Sequence, residues 1–252
     1  LHRVLEDVWG FLQNKKNLLH IDDASLEARV RESAARHTMQ ALAADTPHGS
    51  RLAALEKESV VRLVMRLLAT ERTRPPFTVQ LAEAMEQFRI GGLSVRLRPD
   101  RIDLLEGGGQ LLIDYKLGDS HKPGDWFDWL GRPRRPQLPL YGLAHANTLR
   151  AIAYAVMAPG AVEYRGWSDG TPIGPGVSPY PGRMRIDFGD PQDWESLLHY
   201  WQFSLTKLAE QFVAGDARVD PLPQECATCH LSTFCRVNEL TSDDDREAGD
   251  DQ

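Results

Sequence analysis

Cysteine is scarce in this 252-residue chain: there are three, and all fall between positions 226 and 235. Three clustered thiols exclude a disulfide framework as what holds the fold together. Long apolar runs are missing as well. No stretch approaches the roughly 18 consecutive apolar residues of a membrane span, and no segment reads as a signal peptide. A soluble, cytoplasmic protein without a membrane partner is the expectation. Nor is there a basic excess, since 29 Lys and Arg stand against 36 Asp and Glu for a net charge of -7. The deficit is local, because the last twelve residues, TSDDDREAGDDQ, hold six acids and one arginine. Without them 28 basic residues face 30 acidic ones, so the body is nearly neutral and local patches decide what it binds. The chain also starts at Leu1 and not at a methionine, which suggests a portion of something longer. Its 42% hydrophobic content is enough for a real core.

The first third reads as helical. LHRVLEDVWGFL sets Leu1, Leu5, Val8, Trp9 and Leu12 on one face at spacings of three and four, and SRLAALEKESVVRLVMRLLATE repeats the pattern from Ser50 to Glu71. Pro75 and Pro76 end that helix. From Phe77 the pattern is extended: FTVQLAEAMEQFRI, then LSVRLRPDRIDLL, then QLLIDYKL, with the glycine turn of Glu106 to Gly109 joining the last two. A helix from Gln137 to Asn147 and a strand from Ala151 to Ala158 follow. Gly166 to Gly182 reads as a long surface loop, and DWESLLHYWQFSLTKLAEQFVAG as a helix ending at Gly215. The expectation is an α/β protein. Its mixed central sheet comes from about Phe77 to Leu117 and Ala151 to Trp167, helices flank it, and the N-terminal helices form a cap. We divide the chain into a helical part over 1–75, a core with the cysteine cluster over 76–240, and an acidic disordered tail over 241–252.

The chemistry concentrates in RPDRIDLLEGGGQLLIDYKLG, Arg98 to Gly118. Strand alternation puts Asp114 and Lys116 on one face and Tyr115 on the other. Burying that pair uncompensated costs several kcal/mol per charge, so a structural salt bridge is a poor reason for it. Two readings remain: carboxylates gathered to hold a hard divalent cation through oxygen, or an exposed hairpin whose charges face water.

Further short patterns surround this stretch. LRPDRID carries the form G-x-x-D-R-x-D with Leu97 in place of the glycine. Asp114, Tyr115 and Lys116 spell D-Y-K, QLPLY gives Q-x-x-x-Y at Gln137 and Tyr141, and LHRVLEDVW gives H-x-x-L-E at His2. Glu83 lies eight positions before the pair Gly91 and Gly92, with Glu86 as a competitor. In this order, from His2 to Cys235, the chain resembles the PD-(D/E)xK nuclease superfamily. It resembles most closely the RecB/AddB-type exonuclease domains at the C-terminus of recombination helicases and their helicase-like relatives. The resemblance implies a restriction-endonuclease-like fold and hydrolysis of DNA phosphodiester bonds with Mg2+ or Mn2+. Asp100, Asp114, the Tyr115 carbonyl and His2 would hold the metal, and Glu83 would hold it through water. Lys116 would position or deprotonate the attacking water, while Gln137 and Tyr141 would contact a phosphate or orient Lys116. A fused or associated helicase-like body is the implied partner. The competing reading is a catalytically silent scaffold that keeps the fold.

HKPGDWFDWLGRPRRPQ places Lys122, Arg132, Arg134 and Arg135 beside Trp126, Phe127 and Trp129. That mixture suits a single DNA strand, with phosphates held by the cations and bases stacked on the rings. It would equally serve a protein-docking loop. CATCHLSTFC has the spacing C-x2-C-x5-C over Cys226, Cys229 and Cys235, which suggests a metal or an iron-sulfur cluster. By the resemblance this is a structural [4Fe-4S] site whose fourth cysteine lies upstream of this chain. Zinc with His230, or three free thiols, are the alternatives.

Overall fold

The computed structural model describes residues 1–41, 47–80, 86–118, 120–128, 131–158, 160–180, 191–221, 223–227 and 229–235. Two compact units divide the chain, Leu1–Ala209 and Glu210–Gln252. The first opens with four helices: α1 (His2–Leu12), α2 (Lys15–His20), α3 (Asp23–Ala41) and α4 (Pro47–Glu71). α1 turns its apolar stripe, Val4, Leu5, Val8, Trp9 and Leu12, inward. Asn14 caps α2 by accepting from the Asn17 amide at 2.8 Å.

The strands are β1 (Phe77–Gln80), β2 (Glu86–Ile90), β3 (Leu93–Leu97), β4 (Arg101–Leu105), β5 (Gln110–Leu117), β6 (Leu149–Met157), β7 (Val162–Ser168) and β8 (Val177–Pro179). A six-stranded sheet runs in the order β1-β4-β5-β6-β7-β8, and β2 with β3 makes a separate two-stranded hairpin. β5–β6 and β7–β8 are parallel, while the other pairs of the large sheet are antiparallel. This is the expected mixed sheet flanked by helices. The parallel β5–β6 pair requires a long crossover, which carries a short 3-10 turn at Pro123–Asp125 and helix α5 (Gln137–Ala144).

The extended reading from Phe77 to Leu105 needs one correction. It breaks into pieces that belong to two sheets, and LSVRLRPDRIDLL is interrupted at Arg98, Pro99 and Asp100 between β3 and β4. Pro99 has no N–H to give to a ladder and a fixed φ, so the strand cannot run through it. The Gly166 to Gly182 segment is not wholly loop, since it contributes part of β7 and all of β8. The last long helix, α6, spans Trp194–Val213. The second unit contains α7 (Pro223–Cys226) and α8 (Ser232–Cys235). Among the described residues no helix is long and apolar enough to cross a membrane.

Alternation along β5 and β6 sorts the core into two clusters, one per face. Leu111, Ile113, Tyr115, Ala151, Ala153 and Ala155 pack with α1, α3 and α4. Leu112, Ile152, Tyr154 and Val156 pack with Trp126, Leu138 and Trp201 on the other side. The helical face also buries charge. Glu71, Arg74, Arg101 and Asp103 are at most 2% exposed. Arg101 sets Nη1 2.6 Å from Glu71 and Nε 2.6 Å from Asp103, and Arg74 reaches both acids at 2.6 and 2.7 Å. The Arg101 guanidinium lies 3.9 Å from the Trp9 ring centroid on α1, and Tyr164 donates its hydroxyl to Glu71. Two acids and two guanidinium forks satisfy one another, which is how a buried ionic group becomes tolerable.

Burial alone would raise the Glu71 pKa; Arg101 and Arg74 more than reverse it, leaving the carboxyl below its usual range. Its folded pKa is depressed, so the stability it contributes is present above the unfolded value of about 4.3 and is lost as pH falls through the folded one. Arg101→Ala should cost about 3–5 kcal/mol in urea denaturation at neutral pH, since it strands two carboxylates against one arginine. Glu71→Gln should flatten the loss of stability between neutral and acidic pH, read from urea midpoints across that range.

Candidate active site

β4 is entered through Asp100, and β5 presents Asp114, Tyr115 and Lys116 near its end. Their side chains part as alternation demands. Tyr115 turns to the helical face, where its hydroxyl meets Arg101 Nη1 at 3.3 Å. Asp114 and Lys116 lie on the opposite face. The backbone of Tyr115 nevertheless belongs to the site, because its N–H donates to Asp100 Oδ2 at 2.9 Å. Its carbonyl oxygen is 3.2 Å from His2 Nε2, which also stands 3.3 Å from Asp100 Oδ2. Residues from three distant parts of the chain therefore meet at the start of α1. A cleft of about 270 Å³ opens over them, lined by His2, Arg3, Glu6, Arg98, Pro99, Asp100 and Tyr115.

Asp114 is 1% exposed. Lys116 Nζ is 2.7 Å from its Oδ2, and no other donor reaches either carboxylate oxygen among the described residues. Burial raises the pKa of Asp114 and the nearby Asp100 charge adds to the rise, with Lys116 opposing both. For His2 the hydrogen bond to Asp100 dominates and raises its pKa above burial's opposing pull. The donors available are two carboxylates, a backbone carbonyl and an imidazole nitrogen, a set that suits a hard divalent cation. Among the described residues no three His, Cys, Asp or Glu side chains converge tightly enough to hold an ion by themselves.

Gln137 and Tyr141 open α5 on one helical face, and their hydrogen bond is to each other, Nε2 to the phenol oxygen at 3.2 Å. Glu83 lies outside the described residues, as does Trp129. The competitor Glu86 is engaged elsewhere, 3.0 Å from His145 Nε2 beyond the end of α5. Of the crossover residues, Lys122 and Arg134 are exposed. Arg132 clamps the buried Asp128 at 2.9 Å, and Arg135 stands 4.0 Å from Asp125.

Trp126 requires a correction. It is 0% exposed and donates Nε1–H to Tyr154 at 2.8 Å, so it is a core residue and offers no face to a base. Phe127, 4% exposed, is likewise interior. Burial pushes the Tyr154 phenol up to about 12. Beside that ring, sequence reasoning missed His121, whose ring centroid is 5.6 Å away and whose Nδ1 is buried with no hydrogen-bond partner among the described residues. Burial first, then the charges of Arg135 and Lys116, hold its pKa down. Arg3 and Arg98 were missed too. A cation one residue after His2 and another two residues before Asp100 were the available signal.

In the second unit Cys226 and Cys229 are exposed, Cys235 is half-buried, and all three are free. The amide of Cys229 donates to the Cys226 carbonyl at 3.4 Å, and the Leu231 amide to Cys229 Sγ at 3.4 Å. Three thiols are one short of the four that a cubane cluster takes, and no metal-binding group forms among the described residues.

The family model of the PD-(D/E)XK nuclease superfamily matches residues 1–236. The chain belongs to that superfamily. Membership implies nuclease chemistry on a nucleic-acid substrate, for which PD-(D/E)XK enzymes typically use a divalent metal such as Mg2+. No curated protein matches. Among solved structures, one described as the crystal structure of SSO0001 matches at 14% identity and a TM-score of 0.33. That match covers 62% of this PD-(D/E)XK chain and 59% of the other.

The raised pKa of Asp114 means that its ionised form costs stability at neutral pH, a cost that a cation held beside it would remove. Asp114→Asn should therefore melt no lower than wild type without divalent ions. Mn2+ or Mg2+ at a hundred times its Kd should stabilise wild type by about 2.7 kcal/mol, a rise of about 5–11 °C at about 2–4 °C per kcal/mol, and leave Asp114→Asn unmoved in a thermal-shift measurement.

Proposed function

We propose that this chain is a Mg2+- or Mn2+-dependent exonuclease domain that hydrolyses single-stranded DNA. In this reading it is the RecB/AddB-type domain of a cytoplasmic helicase-nuclease or helicase-like recombination and repair protein. The observation that carries the metal-dependent chemistry is the buried Asp114 carboxylate, which has Lys116 as its one partner among the described residues, on the strand whose next backbone unit contacts Asp100 and His2. Exonuclease mode, DNA preference and helicase context are supported by the motif order from His2 to Tyr141.

In this reading Asp100, Asp114, the Tyr115 carbonyl and His2 hold the cation, with Glu83 adding a contact through water. Mg2+, when bound, supplies Lewis-acid charge to the phosphate oxygens. Lys116 positions or deprotonates the attacking water, and its charge opposes that developing on the phosphate. Gln137 and Tyr141, already paired, present an amide and a phenol to a phosphate. Lys122, Arg132, Arg134 and Arg135 lend the crossover its positive charge. The silent-scaffold reading draws on Leu97, buried where the family has glycine. Asp114 weighs against it, because a carboxylate so buried that one lysine does not offset its desolvation is a standing cost that a scaffold has no use for.

The same proposal assigns Cys226, Cys229 and Cys235 to a structural [4Fe-4S] cluster completed by a cysteine upstream of Leu1. Spacing and resemblance support it. A longer protein purified without air should then show broad visible absorption that Cys229→Ser abolishes.

The decisive experiment is degradation of end-labelled single-stranded DNA with Mg2+ or Mn2+. Lys116→Ala should lower the rate by about 10²–10⁴-fold, the range for losing a proton-transfer or charge-stabilising group, and Asp114→Ala by at least as much. Equal rates in all three proteins would remove the enzyme reading and leave the scaffold.

A further inference from the structure

The exposed face of the β2–β3 hairpin carries charge of one sign. Alternation turns Phe88, Ile90, Leu93 and Val95 onto the core and leaves Gln87, Arg89, Ser94 and Arg96 in water. In the register Gln87 faces Arg96 and Arg89 faces Ser94. The two arginines are thus diagonal neighbours, about 7–8 Å apart across the strands. Neither makes an ion pair among the described residues, and the hairpin's one acid, Glu86, is taken by His145 on the other face. Like charges so placed repel, and they do so on a chain of net charge -7.

From the end of β3 the chain passes through Arg98 and Pro99 directly to Asp100. Arg98, with only an exposed contact to Glu6 at 3.6 Å, lines the cleft together with Arg3, His2 and Asp100. The cationic row therefore begins on the hairpin and ends at the site.

We propose that this row is a track for the backbone of a nucleic-acid strand: Arg89 and Arg96 on the hairpin, then Arg98 and Arg3 at the cleft, hold phosphates beside the one at Asp100. This rests on the nuclease reading and adds to it the path of the substrate. Guanidinium forks match phosphate oxygens in pairs, and an anionic strand relieves the repulsion between the arginines. The exposed side chains between them, Gln87 and Ser94, are polar and uncharged. They give no apolar centre of the kind a protein-protein interface builds around, so the face favours a polyanion over an acidic protein.

The test is fluorescence anisotropy of a labelled single-stranded oligonucleotide, without divalent ions so that no hydrolysis runs, over a range of salt concentrations. Each phosphate contact to a single strand contributes about 0.7 to the slope of log affinity against log salt. The double substitution Arg89→Gln with Arg96→Gln should reduce that slope by about 1.4, while Arg89→Lys with Arg96→Lys should keep it. Arg51→Gln with Arg62→Gln, which removes the same charge from the exposed surface of α4, should leave the slope unchanged. An unaltered slope in the hairpin variant overturns the track and gives the face to an acidic protein partner. An equal loss in the α4 variant also overturns it, by showing a long-range effect of net charge. A failed nuclease reading looks different, since hydrolysis is then insensitive to Asp114→Ala whatever the slopes show.

Discussion

Arg101 is the constraint on which the rest of this molecule depends. Its guanidinium is buried between Glu71 from α4 and Asp103 from its own strand, and it lies against the Trp9 ring of α1. A fully buried cation is tolerable only when every donor is used, so the position of one side chain dictates how two helices and two strands approach. Arg74 repeats the arrangement from the end of α4, reaching the same two acids. The apolar clusters on both faces of the sheet supply most of the driving force for folding. They do not by themselves choose one register of helix against strand, and directional ion pairs do.

The network also reaches the site. Tyr115 stands at the boundary, its ring and hydroxyl among the buried charges and its peptide group in contact with Asp100 and His2. The pleat makes that double service possible, because a strand residue sends its side chain to one face while its peptide group stays at the edge where neighbouring segments end. Asp114 and Lys116, one residue to either side, look the other way, towards Tyr154 and the crossover. One three-residue stretch thus binds the two faces of the sheet into a single chemical unit.

Much of this was legible in the residues. The alternation in QLLIDYKL gave β5 and the facing of Asp114 and Lys116, and helical periodicity gave α1, α4 and α6. Proline and glycine were underweighted: Pro99 divides what reads as one strand, and Gly91 and Gly92, both at positive φ, close β2 and β3 into a hairpin of their own. Trp126 failed for a different reason. A tryptophan among arginines has the composition of a nucleic-acid surface, yet only the three-dimensional packing of Tyr154 and Trp201 shows that the ring is interior. Arg101 and Asp103 were visible as letters of a motif. Their partners Glu71 and Arg74 lie about thirty positions away, and no local pattern links them. Side chains that act through long-range pairing leave little trace in a short window, whereas those governed by strand alternation leave a clear one.

His2 and the Tyr115 carbonyl meet across 113 positions of sequence, and this bears on the order of events at the ribosome. Translation at about 5–20 residues per second separates the emergence of the two by roughly 5–20 s. Throughout that interval the first helix waits for a strand that has not yet been made, so the cleft cannot close on a growing chain. Contacts of such long range are also among the slowest to form. The cleft at the start of α1 is therefore a late product of synthesis, assembled only once β1, β4 and most of β5 have left the ribosome.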